Sequence, residues 1–398
     1  MLLGLLWSSC SNEEGITPPS KPDGATSELR TIAEAISIAD KHFASRAEGA
    51  RAITRSVKGV SVIGNASGRS ASDTLIYAIN YEDNAGFALV SAVPHGIDII
   101  GYADEGSFDV EKIEPGSNVE YFLEAAKDYV STQGKISIGG GDNPFKPIDV
   151  HTWKSTIIPR LSVQWGQRYP EGMFCDNYYS GCVQTAMAQM MSYFKLPTSI
   201  TLTYPGKDVN AQSLNWTELL KHKKSCGNSS FSIDAHHAEC SASVETHKAL
   251  GRLCRELGKR NNANYSKPEV TTAFEGPALA TFKSLCPSLK YTEIKYFNSD
   301  HSNMYIDMLG KDAVAFVCGY TSQGVFGHAW VCDGGEQETT TAPGYDGSTV
   351  TTNKTYYHYN WGLYGQYDGY FANGVFDQSK PSTRGNYNYL PRYFVVYK

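Results

Sequence analysis

Hydrophobic positions recur at intervals of three and four along the first part of the chain, at Leu29, Ile32, Ala33, Ile36 and Phe43. That period predicts a helix with one buried face, capped by Thr26 or Ser27. The period then shortens. Ser-Val-Lys-Gly-Val-Ser-Val-Ile (56–63) predicts a strand, and TLIYAINYEDNAGFALVSA (74–92) predicts a hairpin about the turn 82–86. IDIIGYADEGSF (97–108) adds another strand. Ser117 is placed to cap a helix whose buried face is Val119, Phe122, Leu123, Ala126 and Val130. Residues 26–130 thus form a small α+β unit.

STQGKISIGGGDNPFKP (131–147) breaks this pattern with Gly, Ser and Pro, which marks 131–149 as a linker. The unit from 150 to 398 opens with loops and a helix over 182–195. Further helical patterns lie near 242–258 and 302–309. Strands follow: DAVAFVCGY (312–320), GHAWVCDGG (327–335), TYYHYNWG (355–362), DGYFANG (368–374) and RYFVVYK (392–398). Helices followed by antiparallel strands predict an α+β domain. The stretch within 338–355 is polar and is expected to be a loop inserted between two strands.

Composition narrows the picture. The chain has 398 residues, 41% of them hydrophobic, enough for two packed units. A net charge of −6 gives no reason to expect nucleic acid. No apolar run approaches the ~20 residues that span a bilayer. The start, MLLGLLWSSCSNEEG, resembles the end of a bacterial lipoprotein signal, with Cys10 as the lipidated residue and 11–25 as a tether. On this reading the recorded start lies inside a longer signal. None of the nine cysteines forms a CxxC pair, so a zinc ribbon or thioredoxin-like motif is not expected, and no cofactor is implied.

One cysteine has a special place. Val183, Ala186, Met187, Met190, Met191 and Phe194 space as a buried helix ending before Pro197, so Cys182 falls in its first turn. Unpaired N–H groups and the helix dipole favour a thiolate there. Taken alone, Cys182 reads more readily as a core residue than as a nucleophile. A nucleophile also needs a base. His328, at the start of an apolar strand and just after Gly327, suits that role better than His236 and His237 in a polar loop. Asn360 can orient the second imidazole nitrogen, and Trp361 can shield that bond from water. The Cys182 backbone N–H and the Gln167 amide can serve an oxyanion.

The order Gln167, Cys182, His328, Asn360-Trp361 resembles papain-like peptidases. The strings Trp165-Gly166-Gln167, Gly181-Cys182-Val183 with 185–191, Gly327-His328-Ala329, Asp333-Gly334, Asn360-Trp361-Gly362 and Asp368-Gly369-Tyr370-Phe371 resemble the streptopain family of bacterial cysteine peptidases. Residues 86–92 and 100–104 resemble that family's propeptide. The resemblance implies a papain-like peptidase domain at 150–398 behind a propeptide domain at 26–130. It also implies an intramolecular inhibitor removed by cleavage within 131–160, and polypeptide substrates. Cys182 would be the nucleophile, His328 the base, Gln167 the oxyanion donor, and Asn360 with Trp361 the orienting pair. Export follows, as an outer-membrane lipoprotein or a secreted enzyme, with membrane contact only through the lipid anchor. Two departures stand out: Leu363-Tyr364-Gly365 where the family often has a second Trp, and a longer interval between His328 and Asn360. A catalytically silent surface binding protein and an acyltransferase or transglutaminase on the same core are the alternative readings.

Overall fold

The computed structural model describes residues 29–46, 55–64, 73–133, 151–202, 211–223, 242–267, 270–297, 303–320, 327–343, 348–376 and 391–398. The N-terminal unit comprises α1 (Ile32–Arg46), β1 (Val57–Gly64), β2 (Thr74–Tyr81), β3 (Phe87–Ser91), β4 (Ile99–Ala103) and α2 (Asn118–Gln133). β5 (His151–Ile157), α3 (Cys182–Phe194), β6 (Ser199–Thr201), β7 (Ala211–Ser213), α4 (Trp216–Leu219) and α5 (Val244–Arg260) follow. Next come β8 (Asn264–Lys267), β9 (Val270–Thr272), α6 (Glu275–Leu285), β10 (Lys290–Tyr291), β11 (Lys295–Tyr296) and α7 (Asn303–Met308). β12 (Ala313–Tyr320), β13 (Gly327–Pro343), β14 (Thr349–Asn360), β15 (Gly369–Ala372) and β16 (Arg392–Tyr397) complete the chain.

Mixed helices and an antiparallel sheet make this an α+β fold. A sheet of twelve strands runs β1-β2-β3-β4-β15-β14-β13-β12-β16-β10, with β5 on β13 and β11 on β16. The two units are joined through it, because Tyr102 of β4 pairs with Tyr370 of β15. Those two rings stack at 5.1 Å. Beside them Arg46 pairs with Glu336, and Tyr102 donates to the same carboxylate at 2.9 Å.

Strand alternation divides the core in two. Ala313, Ala315, Val317, Trp330, Cys332, Tyr393 and Val395 face α2 and the N-terminal unit. Val314, Phe316, Cys318, Ala329, Val331, Phe394 and Val396 face α3, α5 and α6. The expected face of α2 is buried throughout, and the Ser117 hydroxyl accepts from the Glu120 N–H at 3.2 Å.

Four sequence expectations change. The first helix starts at Ile32, because Thr31 and Glu34 form a reciprocal capping box (Thr31 N to Glu34 Oε2 2.7 Å, Glu34 N to Thr31 Oγ1 3.2 Å). Its buried face is Ala35, Ala39 and Phe43, and Ile32 is 46% exposed. The polar stretch within 338–355 is an antiparallel arm, with β13 and β14 paired from Glu338↔Lys354 to Pro343↔Thr349. Its β-branched threonines suit a strand, but with neither face deeply buried no apolar alternation betrays it. β5 replaces the expected loop at 151–157 by pairing with that arm. α6 escapes the periodicity because Gly276-Pro277 mimics a turn, although proline is tolerated in a first turn.

Phe122 is fully buried and meets Phe371 at 4.8 Å, Trp361 at 5.8 Å and Phe376 at 5.9 Å. Phe122→Ala should therefore lower the unfolding free energy by about 3–5 kcal/mol in urea denaturation. Val350→Thr, on the exposed arm, should change it by less than about 0.5 kcal/mol.

Candidate active site

Cys182 opens α3. Gly181 before it has φ +92, a conformation that suits glycine, and a Cβ there would lie 2.8 Å from Thr271. The residues after Cys182 are buried almost all round, which seats the helix rigidly behind the sheet. The β13–β14 ladder stops at Val331↔Asn360. One strand residue's N–H and C=O point to the same side in an antiparallel pair, so Ala329 presents both groups at the open end of that ladder. Its N–H donates to the Cys182 sulfur. Its carbonyl accepts from Asn118 Nδ2 of α2 at 3.0 Å, and the same amide reaches the Trp361 carbonyl at 2.6 Å. Asn118 thus stands where the ladder would continue.

His328 precedes Ala329 on the strand and, by alternation, shares the face of Trp330. Its ring meets the Tyr121 ring of α2 at 5.8 Å. Tyr121 lies across Gly319, the cross-strand partner of His328. No hydrogen bond or ion pair joins Cys182 to His328. Burial lowers the His328 pKa to about 4, so the imidazole is neutral. Burial also raises the Cys182 thiol above its ordinary value, against the opposing pull of the Ala329, Val183 and Cys182 N–H groups. The helix terminus alone does not produce the thiolate expected from sequence, because desolvation outweighs it and, among the described residues, no cation faces the sulfur.

Gln167 is buried; Ser180 N–H and Oγ donate to its carbonyl at 2.7 and 3.2 Å, and it lines a cavity of about 460 Å³. Gly166 before it must be glycine, since a Cβ would fall 2.1 Å from the Tyr364 ring. Asn360 ends β14. Its Oδ1 accepts from Gln189 Nε2 (3.0 Å) and Gly362 N–H (3.1 Å), and its Nδ2 donates to the Val163 carbonyl (3.1 Å). The amide is therefore engaged away from His328. Trp361 is fully buried and donates from Nε1 to the Tyr367 carbonyl at 3.0 Å. Cys182 and Ala329 meet, as do Asn360 and the cysteine helix, whereas His328 stands apart. Cys10 lies outside the described residues.

A family model for the peptidase C10 family matches residues 162–371. The chain belongs to that family, the streptopain family. A model for the Spi protease inhibitor matches 27–130, so the C10 match is preceded in this chain by an inhibitor-type unit. The thiol protease/hemagglutinin PrtT of Porphyromonas gingivalis is 25% identical over 331 residues, 75% of this chain and 34% of PrtT. The chain thus spans about a third of PrtT. Streptopain of Streptococcus pyogenes is 21% identical over 374 residues, 79% of this chain and 77% of streptopain. A prointerpain A fragment of Prevotella intermedia shares the fold with a TM-score of 0.55 at 18% identity, covering 84% of this chain and 98% of the fragment.

Sequence reading did not single out the residues that tie the candidate site together. Gln189 bridges three segments, accepting from Trp165 N–H (3.0 Å) while donating to Asn360. Thr185 donates to the Gly166 carbonyl at 3.0 Å. Both were detectable as polar positions three and seven after Cys182 on a largely apolar helix. Asn118 and Tyr121 carry no such signal, since these partners are distant in sequence, with Ala329 and Trp361 211 and 243 residues from Asn118.

Two tests follow from these contacts. In the intact chain Cys182 should alkylate slowly at neutral pH and faster toward alkaline pH. Asn118→Ala should raise its rate at pH 7 by about tenfold or more, the equivalent of one unit of thiol pKa, read by peptide mapping with Cys254 as the buried control. The His328 imidazole takes a proton near 6.5 when unfolded but only near 4 when folded, so protons favour the unfolded state between those values. Stability should fall as pH drops from about 6.5 toward 4, and His328→Gln should remove that share of the pH dependence in urea melts.

Proposed function

We propose that this chain is the zymogen of an exported cysteine endopeptidase, with Cys182 as nucleophile and His328 as base. The observation that carries the reading is the arrangement on β13. Cys182 touches the N–H of Ala329, His328 is its immediate neighbour, and α2 occupies the carbonyl side of the same residue through Asn118. Departure of α2 takes away Tyr121 and Asn118 together. The imidazole then regains water and freedom to turn toward the sulfur, and both desolvation penalties shrink.

In the assembled site the thiolate attacks the substrate carbonyl carbon. The tetrahedral oxyanion takes hydrogen bonds from the Cys182 N–H and the Gln167 amide. The imidazolium of His328 gives its proton to the departing amine, leaving a thioester on Cys182. Neutral His328 then takes a proton from water, whose oxygen attacks the thioester and releases the acid. Asn360 orients the imidazole, which requires its Oδ1 to yield one of its two present donors. Trp361 walls that contact from solvent. Residues 26–130 act as the intramolecular inhibitor, and cleavage within 131–160 separates them. Cys10 is the proposed site of lipid attachment. Residues 1–28 and 134–150 lie outside the described residues.

The test is intact mass and N-terminal sequencing of wild type beside Cys182→Ala, each incubated under reducing, mildly acidic conditions. Wild type should lose its N-terminal unit at a bond within 131–160, and the variant should stay whole. Equal processing of both would sink the assignment of Cys182. Gln167→Ala should lower kcat by about 10²–10³-fold with KM little changed.

A further inference from the structure

We propose that Arg168 and Tyr367 form a binding subsite for a peptide bearing an acidic side chain, and that residues 109–114 occupy it in the intact chain. The proposal rests on the peptidase reading above. The cavity of about 460 Å³ beside Gln167 has Lys112 and Glu114 on its N-terminal-unit wall. Among its described lining residues beyond position 150, Arg168 alone carries a charge.

Two contacts cross the cavity. The Arg168 guanidinium lies 3.8 Å from the Glu114 carboxylate. The Tyr367 hydroxyl donates to the Asp109 main-chain carbonyl at 3.0 Å. One contact reads a side-chain charge and the other a backbone oxygen, two features that a bound peptide offers. Between them Val110–Lys112 form a single 3-10 turn, and Ile113 after it has extended backbone (φ −68, ψ 117). Lys112 is neutralised within its own segment by Asp109 at 2.8 Å, so Glu114 is the carboxylate that meets Arg168.

Both recognition groups are held in place by the peptidase unit itself. The Arg168 N–H donates to the Tyr364 hydroxyl at 2.7 Å, and its guanidinium lies 5.9 Å from the Tyr179 ring centroid. The Tyr367 carbonyl accepts from Trp361 Nε1. The subsite is therefore anchored to the same turn as the proposed reaction centre. From Glu114 the chain needs only four residues to reach Asn118 on Ala329 and Trp361. Removal of the segment takes Glu114 away from the guanidinium and the Asp109 carbonyl away from the hydroxyl.

The experiment uses the full chain after processing under reducing conditions. Internally quenched peptides carry Glu, Gln or Lys at successive positions on both sides of the cleaved bond. Wild type should favour Glu at one position by about two- to fivefold in kcat/KM, the range that a partly exposed ion pair supports. The preference should shrink with added salt. The Glu/Gln ratio is measured within each variant, so a general loss of activity cancels. It should fall to about one in Arg168→Gln, persist in part in Arg168→Lys, and turn in favour of Lys over Glu in Arg168→Glu. Cleavage of all peptides by wild type with no Glu preference at any position overturns the subsite and leaves the peptidase reading standing. A preference that survives in Arg168→Gln overturns it as well. Failure of wild type to cleave any peptide, unlike its Cys182→Ala control in no respect, overturns the peptidase reading itself.

Discussion

One amide of the N-terminal unit holds the whole arrangement. Asn118 Nδ2 bridges the Ala329 and Trp361 carbonyls at the open end of the β13–β14 ladder. Those carbonyls flank the proposed catalytic groups, and the amide is fully enclosed. Buried carbonyls need partners, so the site cannot discard Asn118 without gaining something in exchange. Water or a peptide chain entering the cleft can supply that exchange. On the proposed function, inhibition and substrate binding compete for the same backbone groups.

Around this bridge, the two units behave as one packed body. β4 extends the sheet through β15, the α2 face shares a core with Trp330, Trp361 and Phe371, and Arg46 pairs with Glu336. The alternation of β13 then separates the chemistry. His328 goes to the face of Trp330, where Tyr121 covers it, and Ala329 goes to the face of the cysteine helix. Adjacent residues on one strand are thus held on opposite sides of the sheet. The same desolvation keeps the imidazole neutral and the thiol protonated.

Much of this was legible in the sequence. The buried face of α2, the 74–92 hairpin, the Cys182 helix and the core strands each bury an apolar face, and that face leaves a periodic trace. The arm of β13 and β14 left none, because threonine and other polar residues dominate both of its strands and Val350, its one valine, is exposed. Gly276-Pro277 hid α6 behind residues that more often make turns. At the proposed site, Cys182, Gln167, His328, Asn360 and Trp361 are candidates taken from their order along the chain. The separation of His328 from Cys182 could not be read that way, because it depends on Tyr121 and Asn118, whose contacts are set by tertiary packing. The engagement of Asn360 by Gln189 is of the same kind, a long-range bond between two amides with no local signature.

The central claim is that α2 holds the imidazole and the thiol apart, and its most direct test is the titration of His328 itself. Nuclear magnetic resonance of ring-labelled histidine would compare the intact chain with the same chain cut in the linker and freed of its N-terminal unit. The account predicts a value near 4 in the intact chain and a rise to the ordinary imidazole range or above once α2 has left. An unchanged value after removal would contradict it, because burial under α2 would then not be what keeps His328 neutral.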